Sequence, residues 1–388
     1  MAASCGRLGF NDHPTTQSPS SGTPDAPIGS PTQPDAPGTM SQLLTCGSPT
    51  RFAITTDNNG FASAPRTNGF GVFDVDSQGA LWGWSYSLDD SGLVTSADSI
   101  QMGSNTNASI GGAAIGDQFV VAGGNGSPAT GTTLYAFDSM LKPIGSPSAR
   151  SGEFAGQIPL AVNGSAIAYA TTAAAGDADI RLVDANGNDA SSVNIVGVAT
   201  EMPSYVAVVA TSAGFALGYA DGNSGRMQIA TFDSQLDVVA PPTTVDGGTY
   251  MESPLFAYSP TLDEFAVAFD VKDETEDDDA WAMIVDHNMN VVVAPFEVAP
   301  FSTNAVIAAD SSGFWIAYNT YDPTGMQPDA MASSHIDASG TVLPRTVTSS
   351  GGSPASWQLI DRDGQVVLVW AESGGNGPNL YFDPMCGG

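Results

Sequence analysis

A chain of 388 residues can bury the cores of two ordinary domains or of one large repetitive domain. Its 44 Gly, 26 Pro and 33 Asp against 8 Glu disfavour helices and favour strands joined by Asp/Gly turns. Ten Lys and Arg against 41 Asp and Glu leave a net charge of −31. That field repels phosphate backbones and anionic headgroups, so nucleic acid is excluded as a partner and membrane contact is confined to a lipid anchor.

In chain order, the opening "MAASCGRLGF" places Ala3 and Ser4 before Cys5. This resembles the cleavage region of a bacterial lipoprotein signal, in which small residues precede a cysteine that is acylated. No basic segment and no apolar segment stands before it, so residues 1–10 read as a truncated signal. The resemblance implies lipidation at Cys5 and an extracytoplasmic protein, anchored to the bacterial cell envelope or secreted. Residues 11–40 hold seven prolines among Ser, Thr, Gly and Asp. With almost nothing apolar to bury, they read as a disordered tether reaching up to about 100 Å.

Residues 41–388 carry a repeat. "QFVVAG" (118–123), "SAIAYA" (165–170), "GFALGYA" (214–220), "EFAVAFD" (264–270), "GFWIAYN" (313–319) and "QVVLVWA" (365–371) share one pattern, with "GFASA" (60–64) as a weaker first copy. Taking Ala122, Ala168, Gly218, Ala268, Ala317 and Val369 as register marks spaces the six clear copies by 46 to 52 residues. A second mark, an apolar strand ending in Asp, recurs at Asp74, Asp138, Asp184, Asp233, Asp286, Asp337 and Asp383. Two independent marks on one period define a true repeat.

Each unit reads as four strands, in the fifth "PLFAYS", "FAVAFD", "WAMIVD" and "VVVAPFEV". The second is apolar on both faces, so neighbouring units must cover both. Four-stranded units of this length, stacked radially, predict an all-β single β-propeller. The 343 residues from 46 to 388 divide into seven blades of 49, with six or eight as alternatives because the first unit is degenerate and residues near 95–107 look inserted.

The pattern resembles the roughly 50-residue "G-F-hydrophobic-V-A-W … hydrophobic-F-D-x-x-G" repeat of secreted or surface-anchored bacterial propellers. That resemblance implies the fold and an extracytoplasmic setting, and brings no catalytic residue with it. The last unit, ending "YFDPMCGG", lacks an outer strand, and "SQLLT" (41–45) is the segment expected to supply it. Cys46 would then lie beside Cys386, and a disulfide closing the ring would stabilise by roughly 5 kcal/mol.

Three groups of side chains are candidate sites. "DVDSQG" (74–79) and "DANGND" (184–189) partly resemble calcium loops but lack a full ligand set, and read first as Asp turns. In "DVKDETEDDDAW", Asp270, Asp273, Glu274, Glu276, Asp277, Asp278 and Asp279 place seven carboxylates in ten positions, hard oxygen ligands suited to calcium as a cofactor or to a solvated acidic loop. Loops between second and third strands all emerge on one face and differ in length. Tyr321 and Asp322 are the expected ligand contacts there.

His13, His287 and His335 are scattered, and no G-x-S-x-G motif occurs. Sialidase-like propellers carry Asp-box turns and an arginine cluster. "DSQGALW" (76–82) resembles the box in part and no arginine cluster is visible, so no catalytic residue is named. The expected function is a surface-tethered, monomeric binding or adhesion propeller for a glycan, peptide or partner protein. A glycosidase-like enzyme using two of the 41 acids and a structural envelope protein are the alternatives.

Overall fold

The recurring G-F stretch is the second strand of a four-stranded antiparallel unit, and seven such units form a ring. The computed structural model describes residues 49–386 except 54–59, 67, 90–91, 96–99, 104–105, 126–130, 152, 155–157, 174–176, 196–205, 221–225, 246–250, 273–277, 323–324, 345, 351–353, 363 and 375–376. No helix among the described residues is long and apolar enough to cross a membrane.

Second strands begin at Gly69, Gln118, Ala166, Gly214, Glu264, Gly313 and Gln365, a spacing of 48 to 52 residues. The residue that follows each start is Phe70, Phe119, Ile167, Phe215, Phe265, Phe314 or Val366, at most 1% exposed. Each of these side chains packs into the preceding blade, as Phe215 does with Ala168, Ile180 and Leu182, and Phe314 with Ala266, Ala268 and Ile284. Every blade thus covers its neighbour, at about 1.5–3 kcal/mol per buried aromatic.

Glycine opens three of these strands for a steric reason. A Cβ on Gly69, Gly214 or Gly313 would stand 1.9, 2.4 or 2.1 Å from the carbonyl oxygen of Tyr86, Phe232 or Ile336 on the adjoining third strand.

Three details of the expected register are corrected. "GFASA" belongs to the inner strand Gly60–Arg66 of the first blade, and its second strand is Gly69–Val75, which contains Asp74. In the third blade the residue equivalent to Ala122 is Ala170, not Ala168, because that strand starts at Ala166. Asp383 lies inside the strand Gly377–Pro384, opposite Leu368, rather than at a turn. The inserted stretch after residue 90 forms two short strands, Gly92–Thr95 and Ile100–Gly103, both paired with the third strand Leu81–Asp89.

Ring closure follows the expected principle with a different segment. Thr50–Ala53 supplies the outer strand of the seventh blade, paired antiparallel with Gly377–Pro384. Residues 41–45 were expected there and lie outside the described residues. Phe52 accounts for the choice: its ring lies 4.7 Å from that of Tyr86 and 5.9 Å from that of Phe382. Beside it, Arg51 Nε and Nη2 donate to Asn379 Oδ1 at 3.0 and 2.8 Å. First and seventh blades also join through inner strands, where Ser63 N and Oγ donate to Gln358 Oε1 at 2.8 and 2.7 Å.

Candidate functional site

Antiparallel alternation gives the ring two unlike rims. Turns from first to second and from third to fourth strand share one, the turn rim; the remaining connections share the other, the loop rim.

The turn rim is repetitive. Asp138, Asp184, Asp233, Asp286 and Asp337 each accept, on Oδ1, the backbone amides two and four residues on, all at 2.8–2.9 Å. The fourth residue of each turn is left-handed: Leu141, Gly187, Leu236, Met289 and Gly340, with φ between 60° and 83°. Burial opposes ionisation of Asp184 and Asp286, but the amide and Asn side-chain bonds hold both below the usual carboxylate range. Their lone pairs serve the backbone, so "DANGND" is a turn. Asp76 builds the same kind of turn on the other rim, between the second and third strands of the first blade, from Gln78 N and Ala80 N, and adds Trp82 Nε1, at 2.8 Å each, so "DVDSQG" is a turn as well.

His287 and His335 lie on the turn rim, and His13 lies outside the described residues. His335 Nε2 stands 3.2 Å from Asp310 Oδ2 and 3.3 Å from Ser312 Oγ. A nucleophile-activating relay needs carboxylate and hydroxyl on opposite ring nitrogens; here both meet Nε2, and Nδ1 is buried without a hydrogen-bond partner. Asp310 Oδ2 also accepts Trp315 Nε1 at 2.9 Å. Burial would raise the Asp310 carboxyl, but bonds from His335 and Ser312 hold it well below its ordinary value. The cluster is a brace. His287 Nδ1, on an exposed side chain, reaches Asp263 Oδ2 at 2.9 Å, and Tyr258 Oη donates to Asp263 Oδ1 at 2.7 Å.

The loop rim carries the differences between units. The seventh residue of each second strand is buried, and reads Val75, Gly124, Thr172, Ala220, Asp270, Asn319 and Ala371 around the ring. Only the fifth blade places a charge there. Asp270 is 1% exposed; its Oδ2 accepts Thr303 Oγ1 at 2.9 Å and Asn304 N at 3.0 Å from the sixth blade, and Oδ1 has no hydrogen-bond partner. Burial pushes its carboxyl up to about 7, against those two bonds and the Ala305 amide and with the Asp278 charge adding to the rise.

Asp279 Oδ1 accepts Phe301 N at 2.9 Å, so two carboxylates of the fifth blade hold the segment that enters the sixth. Phe301 and Asn304 in that segment are left-handed, at φ 49° and 56°.

The expected carboxylates therefore divide. Asp270, Asp278 and Asp279 flank one blade seam, whereas Asp273, Glu274, Glu276 and Asp277 lie outside the described residues. Among the described residues no group of three or more His, Cys, Asp or Glu converges on one point. Tyr321 is half-buried at the same end of the sixth blade, its amide donating to Phe301 O at 2.9 Å; Asp322 follows it in the strand. Thr303, Asn304 and Asn319 escaped the sequence reading. Aligning the units on the starts of their second strands exposes Asn319, since it shares the position of Asp270.

Cys386 is half-buried two residues past the last strand; Cys5 and Cys46 lie outside the described residues.

These features define a seven-bladed β-propeller with one regular rim and one variable rim. No family model and no curated protein matches the chain. Among solved structures it is similar to the Kuenenia stuttgartiensis hydrazine synthase, at 12% identity and TM-score 0.56 over 84% of this chain and 96% of that one. It is also similar to a Lactobacillus plantarum protein, at 9% identity and TM-score 0.52 over 77% of this chain and 87% of that one. An ancestral GH74 enzyme matches at 12% identity and TM-score 0.52, over 86% of this chain and 48% of that one. At these identities the likeness carries the fold alone.

Proposed function

We propose that the chain is an envelope-tethered binding or adhesion propeller that takes a glycan, peptide or partner protein on its loop rim. The observation that carries this reading is that unit-specific polar residues gather on that rim at the seam of the fifth and sixth blades, while the third-to-fourth-strand turn of the opposite rim recurs in five units. A scaffold held constant under a variable face is how binding surfaces are built. The net charge of −31 turns the choice toward neutral or basic ligands. Glycan and peptide arrays test it: retention of a ligand, lost on Tyr321→Ala without a change in melting temperature, is expected. Turnover of a glycoside, or binding that survives every loop-rim change, counts against it.

The extracytoplasmic setting is part of the proposal, with lipidation at Cys5 and a Cys46–Cys386 disulfide. Register supports the bridge. Thr50, four residues after Cys46 in the sequence, pairs with Phe382, four residues before Cys386, and the bridge requires the two α-carbons within about 7 Å. Single Cys→Ser changes at either position are expected to lower the melting temperature equally, with the double change adding little. Free thiols in the exported protein would refute the bridge and leave the ring intact.

A further inference from the structure

Asp270 occupies a buried position that six sister units fill without a charge, so the propeller fold does not require a carboxylate there. Two donors of the sixth blade, Thr303 Oγ1 and Asn304 N, go to Oδ2, and the Ala305 amide also favours the charged carboxylate. The other oxygen, Oδ1, is sealed from solvent with no hydrogen-bond partner, an arrangement that is costly for an anion unless a cation completes it.

A second carboxylate is set toward the same point by the sheet. Asp270 pairs with Ala280 and Lys272 with Asp278, so Asp270 and Asp278 are diagonal neighbours on the face that Ala268, Ala280 and Ala282 present to the sixth blade. Asp270, Asp278 and Asp279 bring three carboxylates to this seam. Metal–oxygen bonds of about 2.3–2.6 Å let one ion join two such carboxylates across about 5 Å.

We propose that a calcium ion binds at the loop-rim seam of the fifth and sixth blades, held by Asp270 Oδ1 and the Asp278 carboxylate with water completing its shell. Hard carboxylate oxygens in an irregular setting favour calcium, which accepts variable geometry, over magnesium, which demands an octahedron. The ion braces the seam. Asp270 already holds the left-handed Asn304, so a cation fixing that carboxylate steadies the strained entry to the sixth blade, which Asp279 holds separately through the left-handed Phe301.

The test uses the full chain stripped with a chelator and titrated with calcium chloride, read by calorimetry and by thermal melting, beside magnesium chloride. Wild type is expected to bind calcium and to melt higher with it, magnesium giving the smaller rise. Asp270→Asn, close in shape, is expected to lose one ion per chain or to weaken that site by roughly tenfold or more, and Asp278→Asn to weaken the same site. Asp184→Asn, in a turn, should titrate as wild type. Absence of calcium binding by wild type, or an Asp270→Asn titration matching wild type in ion count and affinity, overturns the proposal. Since the readouts are ions bound and melting, they stand apart from whether the rim captures a glycan or peptide.

Discussion

Asp184 and Asp286 on the turn rim and Asp270 on the loop rim use their carboxylates in opposite ways. On the turn rim, Asp184 and Asp286 each give one oxygen to two backbone amides, and ionisation is favoured because the folded backbone supplies the donors. On the loop rim, Asp270 receives two donors on one oxygen and none on the other, and ionisation is disfavoured. Donated amides hold Asp184 and Asp286 low, and burial raises Asp270. The difference teaches that abundance of Asp is no guide to a site in this chain; the donor count at each oxygen is.

Substitutions can break this comparison. The largest effect is expected at Asp310, which binds Trp315 Nε1, His335 and the amides of Ser312 and Gly313. Asp310→Ala strands those donors in a half-buried cluster and should cost about 2–3 kcal/mol in urea unfolding. Asp184→Ala removes the acceptor for two turn amides that water can reach, and about 1 kcal/mol is expected from the same measurement.

The pH dependence sharpens the contrast. Depressed carboxyls such as Asp310 and Asp184 contribute stability that is present above about pH 4 and lost as pH falls through their folded values. Asp383 runs the other way: burial raises it to about 6, so its contribution is full below about pH 4 and is lost as pH rises through 6. Urea midpoints of Asp383→Asn should fall less steeply between pH 4 and 6 than those of wild type, with the acid limb unchanged. An unaltered slope would mean that this carboxyl gains a donor in solution. The smallest effect belongs to the loop rim. In chelator, Asp270→Asn should match wild type within about 1 kcal/mol or exceed it, because it deletes a buried charge that is only half satisfied.

Much of the ring was legible because a propeller writes its period into the chain: each unit needs one strand apolar on both faces and one tight turn, and both recur near every 50 residues. Register was less legible. Moving the third unit's mark from Ala168 to Ala170 keeps every side chain on its own face, since strands alternate with period two, so the apolar pattern fits either setting. The first unit misled because G-F occurs at Gly60 and again at Gly69, and only pairing with Tyr86 and Trp84 shows which copy lies second from the centre. Asp74 and Asp383 matched the turn motif while sitting inside strands.

By itself the sequence determined the all-β class, the seven-fold repeat, the acidic field and the turn chemistry of five aspartates, all properties of local pattern and composition. The tertiary structure decided what depends on neighbours distant in the chain. Phe52 closes the ring because the Tyr86 and Phe382 rings wait beside it, and Asp270 differs from Asp278 or Asp286 because Thr303 and Asn304 of the next blade reach only one of its oxygens. A carboxylate's role is set by the donors and dielectric around it, and those arrive from strands that no local stretch of sequence specifies.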